Sequence, residues 1–242
     1  MYTERYEIKF EDLDMTGKVG VFSFLQLAQH MATVNGAQLG VGYDVLRPKN
    51  MCWVAVRAHY EFEKEVGDGD VLIMNTWPEN RRHMLYPRMY NFTDEKGETV
   101  MKGSIQWSLY GFDRGKALTI KESGIELQGE ARPDGFEIEL PSRVKVGELE
   151  NTTERKVLFS DADANGHLNN CHYVSYILDL LPIDMLKKCK VKTLDINYNR
   201  QIPAGETLKI NYSLTDNTVL VSGEHNDANI FTAKLVFTDK KS

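Results

Sequence analysis

Two stretches of the chain place apolar residues three and four positions apart. The first stretch carries Val21, Phe24, Leu25, Ala28, Met31 and Ala32, and the second carries Tyr173, Tyr176, Ile177 and Leu180. Residues at this spacing fall on one face of an α-helix, so each stretch predicts a helix with a single apolar stripe. We expect each helix to run for about four or five turns.

After each helical stretch the pattern changes to an alternation that is typical of half-buried β-strands. The alternating positions are Ala58, Tyr60, Phe62, Gly103, Ile105 and Trp107 in the first half, and Leu194, Ile196, Tyr198, Ala233, Leu235 and Phe237 in the second. Each half therefore predicts one short strand, one long helix and about four antiparallel strands joined by turns such as residues 94–97. A lone helix can bury its stripe only against the sheet, so we predict an α+β fold in which a curled antiparallel sheet wraps around the helix.

The two halves of the chain repeat each other. Residues 10–18 align with residues 159–167 at a constant offset, and a phenylalanine, two aspartates and a glycine coincide. The helical and alternating patterns then follow in the same order, as expected for a duplication. Residues 121–150 are rich in glycine and proline and lack periodicity, which predicts a linker. We therefore divide the chain into a first domain, residues 1–144 with the linker included, and a second domain, residues 145–242.

The composition narrows the class of protein. The chain has 242 residues, a formal net charge of −6, 26% charged residues and 42% hydrophobic residues. These values fit a globular protein and exclude a disordered or membrane-spanning one, and the negative charge argues against nucleic acid or an anionic membrane as a partner. The cysteines form no CxxC pair and the first residues resemble no signal or transit segment, so we expect a cytoplasmic protein.

Polar residues are densest in residues 161–170, between a strand pattern and the second helical stretch. Asp163, Asn165 and His167 supply a carboxylate, a carboxamide and an imidazole close together in sequence. A turn from strand to helix can direct all three side chains at one point, and the helix N-terminus offers free backbone N–H groups to a developing negative charge. These are the groups needed for attack on a carbonyl carbon.

A purely structural role is the first alternative for this segment. Aspartate and asparagine often cap a helix or hold a turn, which we take to be the role of Asp12 and Asp161. That role does not explain His167, and the first copy has Thr16 and Lys18 at the positions of the asparagine and the histidine. The asymmetry predicts one chemical site per chain, in the second half.

A calcium loop is the second alternative. Asp161, Asp163, Asn165 and Gly166 fit the first positions of an EF-hand loop, but His172 stands where that loop needs a bidentate glutamate. The preceding segment also alternates like a strand, where an EF-hand needs a helix. We therefore predict no metal at this segment.

The segment is similar to a motif of a known enzyme family. Residues 163–170 read Asp-Ala-Asn-Gly-His-Leu-Asn-Asn. The pattern Asp-x-Asn-x-His-x-Asn-Asn occurs in the second domain of the acyl-acyl-carrier-protein thioesterases, tandem hotdog enzymes of bacteria and plant plastids. The likeness extends over nearly the whole chain, including residues 76–78, Arg81, Arg82 and Trp107.

This resemblance implies both a function and a set of site residues. The enzyme would hydrolyse a fatty acyl thioester and release the free fatty acid from the phosphopantetheine arm of an acyl carrier protein. Asp163 and His167 would act as general base or nucleophile, Asn165 would fix the orientation, and backbone N–H groups of the following helix would polarise the carbonyl. The acyl chain would enter the first domain beside its apolar helix. No cofactor and no metal are implied.

One position departs from the plant enzymes of the family. They carry a further catalytic glutamate on a strand, and Gln201 stands at its position here. A glutamine can orient a water molecule but cannot take its proton. We keep Gln201 as a candidate site residue and assign proton removal to Asp163 or His167.

Other activities and partners stay open at this point. An acyl-CoA thioesterase of the same fold and a non-catalytic acyl-chain binder are the two rivals, and a homodimer is left open. Arg81, Arg82 and Arg88 form a candidate basic cluster for an acidic carrier, although most such clusters are solvated surface. We expect Cys171 and Cys189 to be packing residues, not nucleophiles.

Overall fold

The computed structural model describes residues 1–240. They form two compact units, of which the first spans Met1–Pro141 and the second begins at Ser142. The boundary lies close to the one expected from the sequence, inside the segment that is poor in periodicity.

The first unit contains one long helix and one antiparallel sheet. Its strands are β1 (Tyr2–Glu7), β2 (Met51–Phe62), β3 (Val71–Pro78), β4 (Tyr86–Asp94), β5 (Thr99–Gly111) and β6 (Lys116–Ala117), and its helices are α1 (Val21–Gln38), α2 (Tyr43–Leu46) and α3 (Ile120–Ser123). Within this unit the strands pair in the order β1-β3-β4-β5-β2, with β6 beside β5. Register shifts in β2 and β4 mark bulges, which bend a sheet.

Helix α1 has the length and the apolar face that the sequence predicts. It spans 18 residues, and Phe24, Leu25, Ala28 and Met31 are buried. The ring of Phe24 lies 5.7 Å from that of Phe62 on β2, so the stripe packs on the sheet.

The apolar face of α1 ends in a buried polar contact. Asn35 accepts a hydrogen bond through Oδ1 from Nη1 of Arg88 at 2.8 Å, and Arg88 also donates to Thr76 Oγ1 at 3.3 Å. Arg88 is only 6% exposed, and burial lowers the pKa of its guanidinium. The prediction that Arg88 belongs to a surface cluster with Arg81 and Arg82 is therefore wrong. Arg88 lies within β4 and points towards α1, whereas the other two are exposed in the β3–β4 connection.

The second unit repeats the strand order of the first. Its strands are β7 (Asn151–Lys156), β8 (Cys189–Tyr198), β9 (Thr207–Thr215), β10 (Thr218–His225) and β11 (Ala228–Asp239), and its helices are α4 (His172–Leu178) and α5 (Ile183–Lys188). These strands pair in the order β7-β9-β10-β11-β8, all antiparallel. The order matches that of β1 to β5, so the duplication is visible in the topology as well as in the sequence.

The helix of the second unit is much shorter than predicted. Helix α4 has seven residues instead of four or five turns, and Leu180 lies outside it. Pro182 explains the difference, because a proline disfavours helical geometry at the residue before it and cannot donate the next hydrogen bond. The short helix still packs on its sheet, since the ring of Tyr173 lies 5.4 Å from Tyr198 and 5.0 Å from Phe231.

The segment predicted as a linker is not free of contacts: its earlier residues pack within the first unit, and its later residues bond within the second. Phe136 sets its ring 4.9 Å from that of Trp77, and Ile138 and Leu140 join the same cluster in the first unit. In the second unit, the side chain of Asn197 accepts from the N–H of Val144 at 2.7 Å and donates to Ser142. In the described part of the chain, no helix is long and apolar enough to cross a membrane.

Candidate functional site

The candidate loop is closed by the side chain and backbone of Asp163. Its Oδ1 accepts hydrogen bonds from the N–H groups of Asn165 at 2.8 Å and His167 at 3.3 Å. Its own N–H donates to the carbonyl of His167 at 2.8 Å, and the N–H of Gly166 donates to its carbonyl at 2.9 Å. Gly166 has φ +79°, a conformation that side-chain-bearing residues rarely adopt. The glycine therefore lets the loop reverse direction between the asparagine and the histidine.

The first unit builds the same loop without the asparagine and the histidine. Asp14 Oδ1 accepts from the N–H of Thr16 at 2.7 Å, and the N–H of Gly17 donates to the carbonyl of Asp14 at 3.0 Å. The N–H of Asp14 donates to the carbonyl of Lys18 at 2.8 Å, and Gly17 has φ +74°. Because both copies make these bonds, Oδ1 of the aspartate and the glycine with positive φ have a structural role in the loop. What differs between the copies is the pair of side chains that the loop carries.

In the second unit, those two side chains each hold a polar atom that is buried and has no partner. Nδ2 of Asn165 donates to Asp163 Oδ2 at 3.3 Å, which leaves Oδ1 of Asn165 without a hydrogen bond. Nδ1 of His167 is likewise buried and unpartnered within residues 1–240, so it makes no bond to Asp163. A buried polar atom left unpaired costs about 1–3 kcal/mol, and native proteins keep few of them. Among the described residues of the second unit, these two atoms are the buried side-chain polar atoms that lack a hydrogen bond.

Asp161 holds the turn that leads into the loop, as the sequence predicts. Its Oδ2 accepts from the N–H of Leu158 at 2.9 Å and from the hydroxyl of Tyr176 at 2.6 Å, while Oδ1 lies 3.7 Å from Nδ1 of His172. Burial opposes ionisation of Asp161, but the hydrogen bonds from Tyr176 and Leu158 lower its pKa on balance. The pKa of His172 is lowered by burial, in spite of the neighbouring carboxylate.

Asp12 plays the corresponding part in the first unit. Its Oδ2 accepts from the N–H of Lys9 at 2.9 Å and from the hydroxyl of Tyr6 at 2.9 Å. The role of turn residue is confirmed for both aspartates. Tyr176 was not predicted to contribute, because its position in the helical stripe indicates only core packing.

The start of α4 does not offer all the free N–H groups that the sequence suggested. The N–H of Cys171 donates to Asn169 Oδ1 at 2.9 Å, and the N–H of His172 donates to the carbonyl of Asn169 at 2.9 Å. Asn169 therefore satisfies these two donors itself. Any donor to a substrate carbonyl must come from elsewhere in the loop or the helix.

Gln201 lies in the connection after β8, and that connection is bonded to the candidate loop. The N–H of Leu168 donates to the carbonyl of Ile202 at 2.9 Å, and the N–H of Ala204 donates to the carbonyl of Gly166 at 3.0 Å. Residues His167 and Pro203 form an isolated bridge between the two segments. The structure thus brings the Gln201 segment beside Asp163, Asn165 and His167 along the backbone, with the side chain of Gln201 exposed.

Cys171 and Cys189 are not arranged as nucleophiles. Burial raises the pKa of the Cys171 thiol to about 12, and burial together with a hydrogen bond to Asp239 raises that of Cys189. Both thiols are therefore protonated at neutral pH. Among the described residues, no group of three histidine, cysteine or acidic side chains is placed to hold a metal ion.

Comparison with known families decides what this architecture belongs to. Residues 1–127 match the N-terminal domain of the acyl-ACP thioesterases, and residues 145–239 match their C-terminal domain. The chain belongs to the acyl-ACP thioesterase family. The family's two domains thus correspond to the two halves of the internal repeat.

Plant members of the acyl-ACP thioesterase family are among the relatives of the chain. It is 20% identical to oleoyl-acyl carrier protein thioesterase 1, chloroplastic, of Arabidopsis thaliana, over 94% of this chain and 67% of the relative. It is 24% identical to dodecanoyl-[acyl-carrier-protein] hydrolase, chloroplastic, of Umbellularia californica, over 86% of this chain and 57% of the relative. A palmitoyl-acyl carrier protein thioesterase, chloroplastic, of Arabidopsis thaliana matches at 27% identity over 63% of this chain and 39% of its own length. The chain therefore spans from about two fifths to two thirds of the length of these relatives.

Solved structures of acyl-ACP thioesterases share the fold along its whole length. An acyl-ACP thioesterase from Bacteroides thetaiotaomicron superimposes with a TM-score of 0.85 at 22% identity, covering 98% of this chain and 97% of that one. The 12:0-ACP thioesterase from Umbellularia californica gives a TM-score of 0.83 at 14% identity, covering 99% and 97%. The prediction of an α+β tandem hotdog fold is confirmed.

Proposed function

We propose that this chain hydrolyses fatty acyl thioesters carried by an acyl carrier protein and releases the free fatty acid. Family membership supports this reaction class, and the curated relatives carry names of acyl-carrier-protein thioesterases and hydrolases. The observation that carries the proposal is the pair of buried, unpartnered atoms Asn165 Oδ1 and His167 Nδ1 in the loop of the second unit.

His167 is the general base of the proposed reaction. Asp163 already spends Oδ1 on two backbone N–H groups of the loop and Oδ2 on Asn165. Asp14 makes the same type of backbone contact in the unit that lacks the histidine, so this contact is common to both copies of the loop. His167 has a free ring nitrogen and can take a proton from an attacking water, while Asn165 accepts a hydrogen bond from that water through Oδ1.

Gln201 and the first unit have supporting roles in the proposal. Gln201 lies in the segment bonded to the loop and contributes a carboxamide that can hold a water but not deprotonate it. The acyl chain is assigned to the first unit, next to α1, and the reaction itself to the second.

We place the enzyme in the cytoplasm because its cysteines are not disulfide-bonded. Whether the enzyme forms a homodimer is measured by light scattering.

The test is release of thiol from two substrates that differ only in the carrier. Dodecanoyl-acyl carrier protein and dodecanoyl-CoA are compared at equal concentrations, with the fatty acid product identified by mass spectrometry. We expect a higher kcat/KM for the carrier-protein substrate. Preference for the CoA thioester would reassign the carrier, and binding of the acyl chain without release of thiol from either substrate would identify a non-catalytic acyl-chain binder.

A further inference from the structure

An exposed apolar turn, formed by Leu158 and Phe159, lies directly before the candidate loop. Phe159 is 94% exposed and Leu158 is 53% exposed, although most large apolar side chains of the second unit are buried. Both belong to the turn that Asp161 holds, since the N–H of Asp161 donates to the carbonyl of Leu158 and the N–H of Ala162 donates to that of Phe159. The backbone of this turn is thus fixed, while its two side chains point into solvent.

The internal duplication shows which part of this turn is special. Phe10 occupies the equivalent position in the first unit and is 80% exposed, so an exposed phenylalanine is common to both copies. Its neighbours, however, are the charged residues Lys9 and Glu11, where the second copy has Leu158 and Ser160. The uncharged, apolar version of the turn therefore occurs only in the copy that carries Asn165 and His167.

One exposed cation precedes this turn in sequence, and a second lies in a segment that is bonded to the residue before the turn. Lys156 ends strand β7, and Arg200 lies in the connection after β8; neither forms an ion pair within residues 1–240. The connection after β8 reaches both segments, because the N–H of Gly205 donates to the carbonyl of Val157 at 2.8 Å and the N–H of Ala204 donates to Gly166. The segment with Lys156 and the apolar turn, and the candidate loop, are therefore both bonded through the backbone to the connection that carries Arg200.

We propose that Leu158 and Phe159, with Lys156 and Arg200 in the adjoining segments, form the docking point of the acyl carrier protein. This inference rests on the proposed function. Covering a large exposed apolar side chain with a partner lowers the free energy of the complex, and aromatic residues commonly anchor such interfaces. Lys156 and Arg200 carry positive charge that can pair with acidic groups of the carrier, next to the exposed Glu154 and Glu206 of the same segments. Docking here delivers the thioester directly to the adjoining loop.

The experiment separates carrier binding from chemistry. Affinity is measured by calorimetry with an acyl carrier protein whose dodecanoyl group is attached through an amide that cannot be hydrolysed. Turnover is measured with dodecanoyl-acyl carrier protein and with dodecanoyl-pantetheine, which lacks the protein. Phe159→Ser is the test variant, and Phe10→Ser is its matched control from the other copy.

We expect Phe159→Ser to raise the Kd for the carrier and the KM for the carrier substrate about tenfold, equal to about 1.4 kcal/mol. Its kcat/KM on dodecanoyl-pantetheine should stay within about twofold of the wild type, and Phe10→Ser should match the wild type throughout. An unchanged Kd, an equal loss in Phe10→Ser, or an equal loss on dodecanoyl-pantetheine would overturn the docking assignment. The docking assignment would also be overturned if light scattering showed a dimer for the wild type and a monomer for Phe159→Ser. That result would assign the turn to a contact between two copies of the chain. If the wild type binds the carrier through Phe159 but hydrolyses neither substrate, the docking surface stands and the proposed reaction fails.

Discussion

His167 is the side chain on which the proposed chemistry depends most. Replacing it by alanine removes the only imidazole of the loop and leaves the loop's backbone hydrogen bonds intact. We expect His167→Ala to lower kcat by about 10² to 10⁴, the usual effect of losing a general base. Steady-state thiol release is the measurement, with circular dichroism as the check on folding. Ordinary turnover by a folded variant would exclude His167 from the site.

Lys18 provides the matched control for His167, because it occupies the same place in the other copy of the loop. Its backbone carbonyl accepts the N–H of Asp14, and that bond survives truncation of the side chain. We expect Lys18→Ala to keep kcat within about twofold of the wild type, as exposed substitutions usually do. A loss as deep as that of His167→Ala, in a folded protein, would show that the first unit also takes part in the chemical step.

Gln201 should have an intermediate effect. Its segment is bonded to the loop at Leu168 and Gly166, but its side chain is exposed and cannot take a proton. We expect Gln201→Ala to slow hydrolysis less than His167→Ala, and Gln201→Glu to stay active with an additional ionisation in the profile of kcat/KM against pH. The measurement is that profile for all three proteins. Identical rates and profiles would make Gln201 an ordinary surface residue.

At this scale, the sequence identified residue types better than side-chain directions. The motif and its asymmetry between copies pointed to Asn165 and His167, and the structure gives these two the unpaired buried atoms. The sequence could not show that Asp163 uses its oxygens within the loop, nor that Arg88 points towards α1. Both depend on backbone direction, which composition and spacing leave open.

Among the elements, the hairpin between β4 and β5 gives a prediction about pH. Asp94 accepts from Lys64 Nζ at 2.6 Å and from the N–H groups of Lys96 and Glu98, each at 2.9 Å. The hydrogen bond from Lys64, followed by those from the turn, lowers the pKa of Asp94 to about 2. A carboxyl with a lowered pKa in the folded state stabilises the fold above its unfolded pKa of about 3.9 and loses that contribution as the pH falls towards 2.

We therefore expect Asp94→Asn to lower the melting temperature at pH 7, with a difference from the wild type that shrinks as the pH falls from about 4 to about 2. Thermal unfolding followed by circular dichroism across this range is the measurement. Glu95→Gln serves as control, because Glu95 lies in the same turn but forms an exposed pair with Arg5, a type of pair that contributes little. A difference that is constant with pH would contradict the assignment.

The elements were predictable where one local rule dominated. Helix α1 contains the whole predicted apolar stripe, and the short strand, long helix and four strands of the first unit appear in the expected order. Helix α4 failed the same rule, because Pro182 overrides the continuing apolar pattern. Pro182 was visible in the sequence, and its effect on the end of helix α4 outweighed the helical spacing that includes Leu180.

On the scale of the molecule, the duplication was readable but the strand order was not. Residues 10–18 and 159–167 share enough identities to reveal two copies, and the structure gives both the same order of pairing. That order depends on contacts between strands far apart in sequence, on which alternation of apolar residues is silent.

The strand order also determines when the first unit can fold during synthesis. Strand β2 pairs with β5, so the earliest long strand of the first unit finds this partner only when the fourth one has emerged from the ribosome. Until then its apolar residues and its unpaired backbone are open to other chains. The interval between β2 and β5 is thus a stage of translation at which the nascent first unit is exposed to aggregation, and slow codons within it would lengthen that exposure.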